Sequence, residues 1–592
     1  MDQHLLLLLC ALVVVGVGAQ WVASRLKIPA LLLLLLTGLF LGPLSELILG
    51  DPILDPDRLF GDLLRPIISL SVALVLFEGG LTLDLAEARK IGRPLWTLIL
   101  SGLFIGFGSV TLLAHYLGGL DFATSATLGA ILVVTGPTVI LPMLRSARIA
   151  FRPAALLKWE GIINDPFGAI LAFLVFAVAT IAEKPQNGGV LGLVLWTLLL
   201  IVANGMLGLL MARLLDRGME RGWIPEHLKN PVVLATALLA FALGEVIGHE
   251  MGLVTVTVLG MGLANMGNPS LERIRWFKEQ ISTLLISLLF LLLASRLDLA
   301  DLGRLDLRHL LFVLSVLVIA RPLVVLVANL GSGLPWRERV LIGWIAPRGV
   351  VAAAVAGAFS VELNDAGFPD GKLLVPLVFA VIFLTVSLHG FTIRPLARRL
   401  DLAAKGGKGL LMVGAASWNV ALAEALVRAG AFVILADTRY HRVAKARMQG
   451  LFVYHGDALS EDVDLELPME QVTKILAATD EDSYNSLVCV HFVDDFGRDA
   501  VYQLNPETTA DAAGHLKGRT PWGEEGNYRN IARRFWRDGE FKVTALSEAY
   551  DYSRFRQDKP EALPLFYLDE NNVEFLAEGK EAPIGSSLLY MT

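Results

Sequence analysis

Thirteen stretches of apolar residues, each long enough to span a bilayer, fill this chain almost without pause up to Leu396. They lie near residues 4–21, 29–49, 64–81, 93–116, 122–144, 155–181, 189–212, 230–246, 250–266, 279–296, 309–330, 338–360 and 372–396. Hydrocarbon has no water to satisfy backbone N–H and C=O groups, so such runs must close their hydrogen bonds internally, as helices. The loops between them alternate in charge. One set is basic, with Arg25/Lys27, Arg89/Lys90/Arg93, Arg145/Arg148/Arg152, Arg213/Arg217/Arg221, Arg273/Arg275/Lys278, Arg337/Arg339 and Arg394/Arg398/Arg399. The other is sparse or acidic, with Asp51/Asp55/Asp57, Asp121, Glu183, Glu250 and Glu362/Asp365/Asp370. There the arginines of 296–308 are matched by Asp298, Asp301 and Asp306. Cytoplasmic loops carry the excess of Lys and Arg, so the N-terminus is expected outside and the segment after the last helix in the cytoplasm. Adding or removing one helix would scramble the alternation, which supports the count.

The helical part ends before the chain does. Over its 592 residues the chain is 55% hydrophobic and 18% charged, with mean hydropathy +0.60, but after about Lys405 the composition becomes that of a soluble domain. The expected division is a membrane domain at 1–400, a linker at 401–407, an α/β domain at 408–505 and a small C-terminal lobe at 506–592. A net charge of −7 is modest and points to no nucleic-acid partner. Cys10 and Cys489 fall one in each part, so no disulfide is expected and a reducing compartment suits the tail. Met1-Asp2-Gln3-His4 lacks the basic region of a cleaved signal, so the first run reads as a retained helix.

Polar residues inside the apolar runs are the candidates for chemistry, because an ionisable group in hydrocarbon costs about 2.5–3.5 kcal/mol on insertion scales. The sixth run opens with Glu160, Asn164 and Asp165, followed by Pro166, which leaves the carbonyl of Ile162 without its helical donor. An oxygen-rich notch of this kind suits a small cation or a proton. Helix breakers interrupt the fifth run at Thr135-Gly136-Pro137 and the twelfth at Pro347-Arg348-Gly349. If helices 1–6 and 8–13 form two halves, both breaks fall on the fifth helix of a half, the pattern of an inverted repeat with a midplane site; two independent proline kinks are the alternative. Arg321, in the eleventh run, needs a carboxylate, and Glu160 is the candidate nearest in depth. Asp165 is then left to exchange. A desolvated carboxyl favours its proton and a bound cation favours its charge, so the two compete. Asn164 cannot ionise, and one charge per turnover is expected. Thr135 can add hydroxyl and carbonyl oxygens and Glu78 a carboxylate, while Arg348 either counters the exposed backbone ends or anchors a loop. Gly38 and Gly42 have a spacing that permits close helix packing or a dimer contact.

Taken together, the Glu160–Asn164–Asp165 set, the Thr135-Gly136-Pro137 break, Arg321 and Pro347-Arg348-Gly349 resemble the NhaP-type sodium/proton antiporters of the monovalent cation:proton antiporter-1 family, over about residues 5–400. The resemblance implies thirteen helices in a dimer domain and a six-helix core domain, unwound helices five and twelve that cross, elevator-type alternating access and homodimers. It also implies exchange of Na⁺ or Li⁺, with K⁺ in some members, in a bacterial cytoplasmic membrane. Two positions depart from the family pattern. Gly161 stands where a cation-ligating serine is usual, and Gly136 where the family often has aspartate, so Arg348 lacks that acidic neighbour.

The tail opens as a βαβ unit, with strands at Gly409–Val413 and 431–436 around a helical pattern at 420–429. Asp437 follows Gly414 at nearly the spacing of a dinucleotide-binding fold. The phosphate turn, Gly414-Ala415-Ala416-Ser417-Trp418-Asn419, lacks two of the expected glycines, and Trp418 is expected to crowd a pyrophosphate. With His455-Gly456-Asp457 and Ala478-Thr479-Asp480, residues 408–505 resemble the TrkA-N or RCK regulatory domain of potassium-transport proteins. The candidate nucleotide contacts are Gly414, Asp437, Gly456 and Asp457, with NAD or an adenine nucleotide as ligand; a docking domain that kept the fold and lost the ligand is the other reading. Two further classes are weaker. A tail-gated cation channel would need a carbonyl-ring filter such as T-V-G-Y-G, which is absent, and a membrane-anchored dinucleotide enzyme would need a catalytic constellation in the tail.

Overall fold

The structure is a computed structural model that describes residues 3–26, 28–147, 149–183, 189–266, 271–330, 333–403, 409–460, 463, 467, 469–507, 517–569, 572–577 and 579–592. Lys27, Arg148 and most of the expected linker lie outside the described residues. So do the side chains of Pro137, Arg145, Glu183, Arg273, Arg275 and Lys278. The chain forms two compact units, one holding 1–147 and 152–400, the other 148–151 and 401–592.

Each of the thirteen apolar runs is helical. Among the described residues nine helices are long and apolar enough to cross a membrane unaided, the longest of the nine being Val190–Glu220 and Pro369–Arg399. Three runs tighten or loosen within themselves rather than break. Phe40–Leu44, Gly102–Gly106 and Val316–Ala320 are π-helical turns, a local widening that often marks a functional site. The acidic loops have a structural use beyond charge bias. Asp55, Asp121 and Asp306 cap the helices that follow them, their carboxylates accepting from backbone N–H groups at 2.9–3.1 Å, the favoured arrangement at a positive helix end.

Glycine lets helices pack backbone to backbone. A Cβ on Gly38 would lie 2.7 Å from Cβ of Ala294, and one on Gly42 2.2 Å from the Ser295 carbonyl oxygen. The GxxxG seam is therefore filled by the chain's own Leu271–Ser295 helix, which takes it away from a dimer contact.

Runs five and twelve are each two short helices separated by non-helical chain: Phe122–Ile131 and Pro137–Ala147 flank one gap, Trp336–Trp344 and Val350–Asp365 the other. The gaps cross at Gly136 and Gly349. A Cβ on either would sit 2.4–2.5 Å from Cα of the other, and Gly136 N–H donates to Pro347 O at 3.1 Å. Any side chain at either position forces the strands apart.

In the second unit, strands β1 (Gly409–Val413), β2 (Phe432–Asp437), β3 (Phe452–His455), β4 (Lys474–Ala477) and β5 (Val501–Gln503) form a parallel sheet in the order 3-2-1-4-5. All five β1 residues are buried, as a strand covered on both faces requires. The region after 520, unassigned from sequence, is an antiparallel sheet of β6 (Phe541–Ala545), β9 (Ser587–Met591), β7 (Leu563–Leu568) and β8 (Val573–Phe575), in that spatial order. It shares one core with the parallel sheet. Leu410, Leu476 and Trp418 pack in the same cluster as Ile531, Phe566 and Phe575, and Tyr502 stacks on Phe575 with ring centroids 3.9 Å apart.

Substituting Gly349 by Val is expected to destabilise the membrane unit by about 1–3 kcal/mol, the usual cost of overpacking, and to lower the melting temperature of the purified protein. Gly357→Ala, at a helical site with nothing within 4 Å, should leave it unchanged or raise it.

Candidate functional site

The Phe151–Glu183 helix runs beside the crossing. Gly168 is the point of approach, since a Cβ there would lie 2.3 Å from Val134 Cγ2. Three and four residues earlier, Asp165 and Asn164 are buried, at 0% and 1% exposure, and Thr135 in the gap is at 2%. Both Asp165 oxygens, both Asn164 side-chain atoms and Thr135 Oγ1 have no hydrogen-bond partner among the described residues. Buried polar atoms are rarely left so. Four oxygens and one amide nitrogen thus stand unsatisfied close to one crossing of unwound chain.

Glu160, one turn earlier, is in the opposite condition. Both its oxygens meet the Arg321 guanidinium, Nη2 donating to Oε2 at 2.9 Å and Nη1 to Oε1, and Arg321 Nε donates to Ile342 O at 3.1 Å. A two-pronged ion pair of this kind holds a carboxylate charged and fixed. The π-turn Val316–Ala320 leads into Arg321, and the π-turn opening at Gly102 faces the other side of the pair. A Cβ on Gly102 would fall 2.9 Å from Asn164 Nδ2 and 3.3 Å from Glu160 Oε1. Room for the Asn164 amide therefore depends on the absence of a side chain at 102.

Arg348 is buried as well, at 6% exposure, which removes the loop-anchor alternative. Its Nη1 donates to the carbonyls of Val133 and Val134 at 3.4 and 3.1 Å. These are backbone groups left over where Phe122–Ile131 ends, and a cation beside them opposes the negative end of that helix. Arg348 thus takes from the backbone what an acid at position 136 would supply, and it lies within electrostatic reach of Asp165. Gly161 is buried in the same helix. Pro137 begins the helix after the first gap, and Pro347 lies in the middle of the second. Glu78 is half-buried in Leu64–Leu81. Its neighbours Gly79 and Gly80 pack on Ile162 and on the Thr257–Met261 backbone.

Several polar residues of this region escaped the sequence reading. Glu87, between two runs and 4% exposed, receives Lys158 Nζ at 2.5 Å. His389 is fully buried in the Leu374–Arg399 helix, edge-on to Trp344 with ring centroids 6.1 Å apart. It is an ionisable residue inside an apolar run, so the rule that found Asp165 could have found it. Asn204 accepts from Thr255 Oγ1 at 3.0 Å and joins two helices.

A cavity of about 640 Å³ opens at the helix ends that carry the acidic loops. Asp62, Arg65, Glu245, His249 and Glu250 stand around it, and its wall reaches Val351, two residues past Gly349. Arg65 pairs with Glu362 at 3.5 Å, and His249 stacks on Phe173 of the Asp165 helix at 5.2 Å.

In the tail, all four candidate nucleotide contacts lie at the carboxyl ends of the parallel strands. Gly414, at φ +112°, turns the chain after β1. Asp437 at the end of β2 accepts from the N–H groups of Ala415 and Arg439, both at 2.8 Å, and pairs with Arg442. Gly456 and Asp457 follow β3, and Tyr484 donates its hydroxyl to Asp457 Oδ1 at 2.6 Å. Burial and the Asp457 carboxylate push the Tyr484 phenol above its usual range, which keeps it a donor. The expectation that Trp418 crowds the phosphate turn is corrected. It is 2% exposed and packs edge-on to Tyr528 at 5.8 Å, inside the core shared with the C-terminal sheet. Both cysteines are free, and burial pushes the Cys489 thiol up to about 12.

Residues 9–399 match the model of the family described as sodium/hydrogen exchanger, transmembrane, and residues 411–505 match that of the TrkA-N domain. Among named proteins, the Na(+)/H(+) antiporter 1 of Methanocaldococcus jannaschii is 25% identical over 59% of this chain and 82% of its own length. A K(+)/H(+) antiporter, NhaP2, of Shewanella sp. is 24% identical over 69% of this chain and 70% of its own. The structure of the M. jannaschii antiporter MjNhaP1 at pH 8 superposes with a TM-score of 0.58 at 23% identity, covering 67% of this chain and 99% of that one.

Breaking the Glu160–Arg321 pair from one side, by Glu160→Gln or Arg321→Gln, is expected to cost about 3–5 kcal/mol, as uncompensated buried charge does. The double variant should be more stable than either single one, read as a positive coupling in a thermal-unfolding cycle.

Proposed function

Because the chain belongs to the sodium/hydrogen exchanger family, we propose that it is a Na⁺/H⁺ or K⁺/H⁺ antiporter in which cation and proton alternate on Asp165. One observation supports this most. Asp165, Asn164 and Thr135 are buried and unsatisfied beside the crossing, while the neighbouring acid, Glu160, is already taken by Arg321. Asp165 is thus the acid of this group left to exchange its partner.

The donor set also bears on the cargo. Among the described residues no three His, Cys, Asp or Glu side chains gather as a metal cluster. One carboxylate with amide, hydroxyl and backbone oxygens neutralises a single positive charge, and hard oxygen donors suit an alkali cation. The cargo is Na⁺ or Li⁺, with K⁺ an equal candidate given relatives named for either ion. When the cation leaves, Asp165 takes a proton; when the proton leaves, the carboxylate is free for the next cation. Asn164 holds a ligand position without titrating, so one cation exchanges for one proton and no net charge moves. Arg348 stabilises the crossing in both states through Val133 and Val134. Glu78 is an auxiliary carboxylate that adds to the site from the Leu64–Leu81 helix.

Alternation of access is of the elevator type, with the crossing and the Asp165 helix moving as a body against helices such as Leu64–Leu81 and Leu271–Ser295. The protein acts as a homodimer in a bacterial cytoplasmic membrane, N-terminus outside and tail inside, and the tail regulates transport, with NAD or an adenine nucleotide as candidate ligand. A tail-gated channel is the weaker reading, since a titratable carboxylate is not a selectivity filter.

In inverted vesicles, addition of Na⁺, Li⁺ or K⁺ should collapse a preformed proton gradient, and Asp165→Asn should abolish this while leaving the protein folded; retained exchange would overturn the assignment. Collapsing the membrane potential should leave the wild-type rate unchanged, and current through reconstituted protein would refute one-for-one exchange. For the tail, NAD or ATP should raise the melting temperature of the full chain and Asp437→Ala should remove the rise; no shift with either would leave a docking domain.

A further inference from the structure

Away from the exchange site, helices Arg321–Ala328, Trp336–Trp344 and Leu374–Arg399 enclose a groove of about 650 Å³, a size that holds a small ligand. Its walls are apolar over most of their length, formed by Pro322, Val325, Leu326, Val340, Pro395 and Leu396. Trp344 lies along it, fixed by its indole N–H donating to Thr392 Oγ1 at 2.8 Å. Leu326 and Val340, 68% and 45% exposed, carry the wall out onto the face that meets hydrocarbon.

The polar end is of one sign. Arg339 and Arg399 line the groove where the basic loops begin, and both are exposed. Arg339 donates Nε–H to Leu334 O at 2.6 Å, and neither guanidinium pairs with a carboxylate among the described residues. Trp336, 62% exposed with the Arg337 guanidinium 5.8 Å from its ring centroid, stands at the start of the same helix. Exposed Trp and Arg together mark the headgroup level of a bilayer. The groove therefore runs from headgroup depth into the hydrocarbon, cationic at one end and apolar at the other.

We propose that this groove is a binding site for an anionic phospholipid from the leaflet on the side of the arginine-rich loops. The headgroup phosphate lies between Arg339 and Arg399, and an acyl chain lies along the trough against Trp344. Charge complementarity selects the headgroup, and basic pockets between membrane helices bind such lipids in this way. Surface arginines that only mark topology need no trough beside them. The position gives the lipid a consequence, because Pro322 follows Arg321, the partner of Glu160, and Trp344 is the last helical residue before the gap that carries Gly349. A lipid seated here touches both segments.

The test uses the delipidated full-length protein titrated with phosphatidylglycerol or phosphatidylcholine and read by native mass spectrometry, independently of transport. Wild type should retain phosphatidylglycerol over phosphatidylcholine. Arg339→Gln with Arg399→Gln should weaken that retention roughly thirtyfold, at about 1 kcal/mol for each basic side chain. Arg394→Gln with Arg398→Gln, equally basic and on the same helix but not lining the groove, should change it little. Equal retention of the two lipids by wild type, or equal losses in the two double variants, would overturn the proposal.

Discussion

Gly136 and Gly349 allow two unwound segments to cross with their backbones touching, and the membrane unit is arranged around what that crossing exposes. Ending a helix in the middle of a membrane leaves carbonyl and amide groups that hydrocarbon cannot satisfy. Here they are shared out. Gly136 N–H finds Pro347 O, and the carbonyls of Val133 and Val134 find Arg348. Arg348 is in turn affordable at this depth because those carbonyls, and Asp165 nearby, offset its charge. The same contact explains a departure from the family pattern. With Gly349 backbone against position 136, an aspartate there has no space for its Cβ, and the arginine takes its negative partner from the main chain.

A second division of labour separates two carboxylates five residues apart on the same helix. Glu160 is bound on both oxygens and Asp165 on neither. A side chain gripped by a bidentate guanidinium has nothing left to offer a visiting ion, whereas an unsatisfied one in a dry site gains from either a proton or a cation. Gly102 keeps the arrangement open on the far side, because any larger residue would press on the Asn164 amide. Lys158, two residues before Glu160, is paired with Glu87 of the Leu85–Ile91 helix.

The tail follows ordinary packing rules with one economy. On one face of the parallel sheet the antiparallel sheet packs over β4 and β5, where Tyr502 meets Phe575. Its Phe566 and Phe575 enter the same core as Leu410 and Leu476. The two lobes are therefore one folding unit, and the acids at the strand ends, Asp437 and Asp457, already hold internal donors.

Much of this was legible in the residues themselves. A membrane unit of many apolar helices, the breaks at Thr135-Gly136-Pro137 and Pro347-Arg348-Gly349 and the need of Arg321 for an acid follow from length, glycine, proline and charge, since hydrocarbon punishes every exception. The βαβ opening, β1 and β2 around a helix, follows from buried runs of strand length joined by a helix. What only the tertiary structure decided is which atoms meet. The filling of the Gly38–Gly42 seam by the chain's own helix, the place of Trp418 in a core rather than at a phosphate turn, the union of the C-terminal sheet with the parallel one, and the burial of His389 against Trp344 depend on contacts between residues far apart in the chain. Periodicity reports which face of an element is apolar, but not which distant surface will cover it.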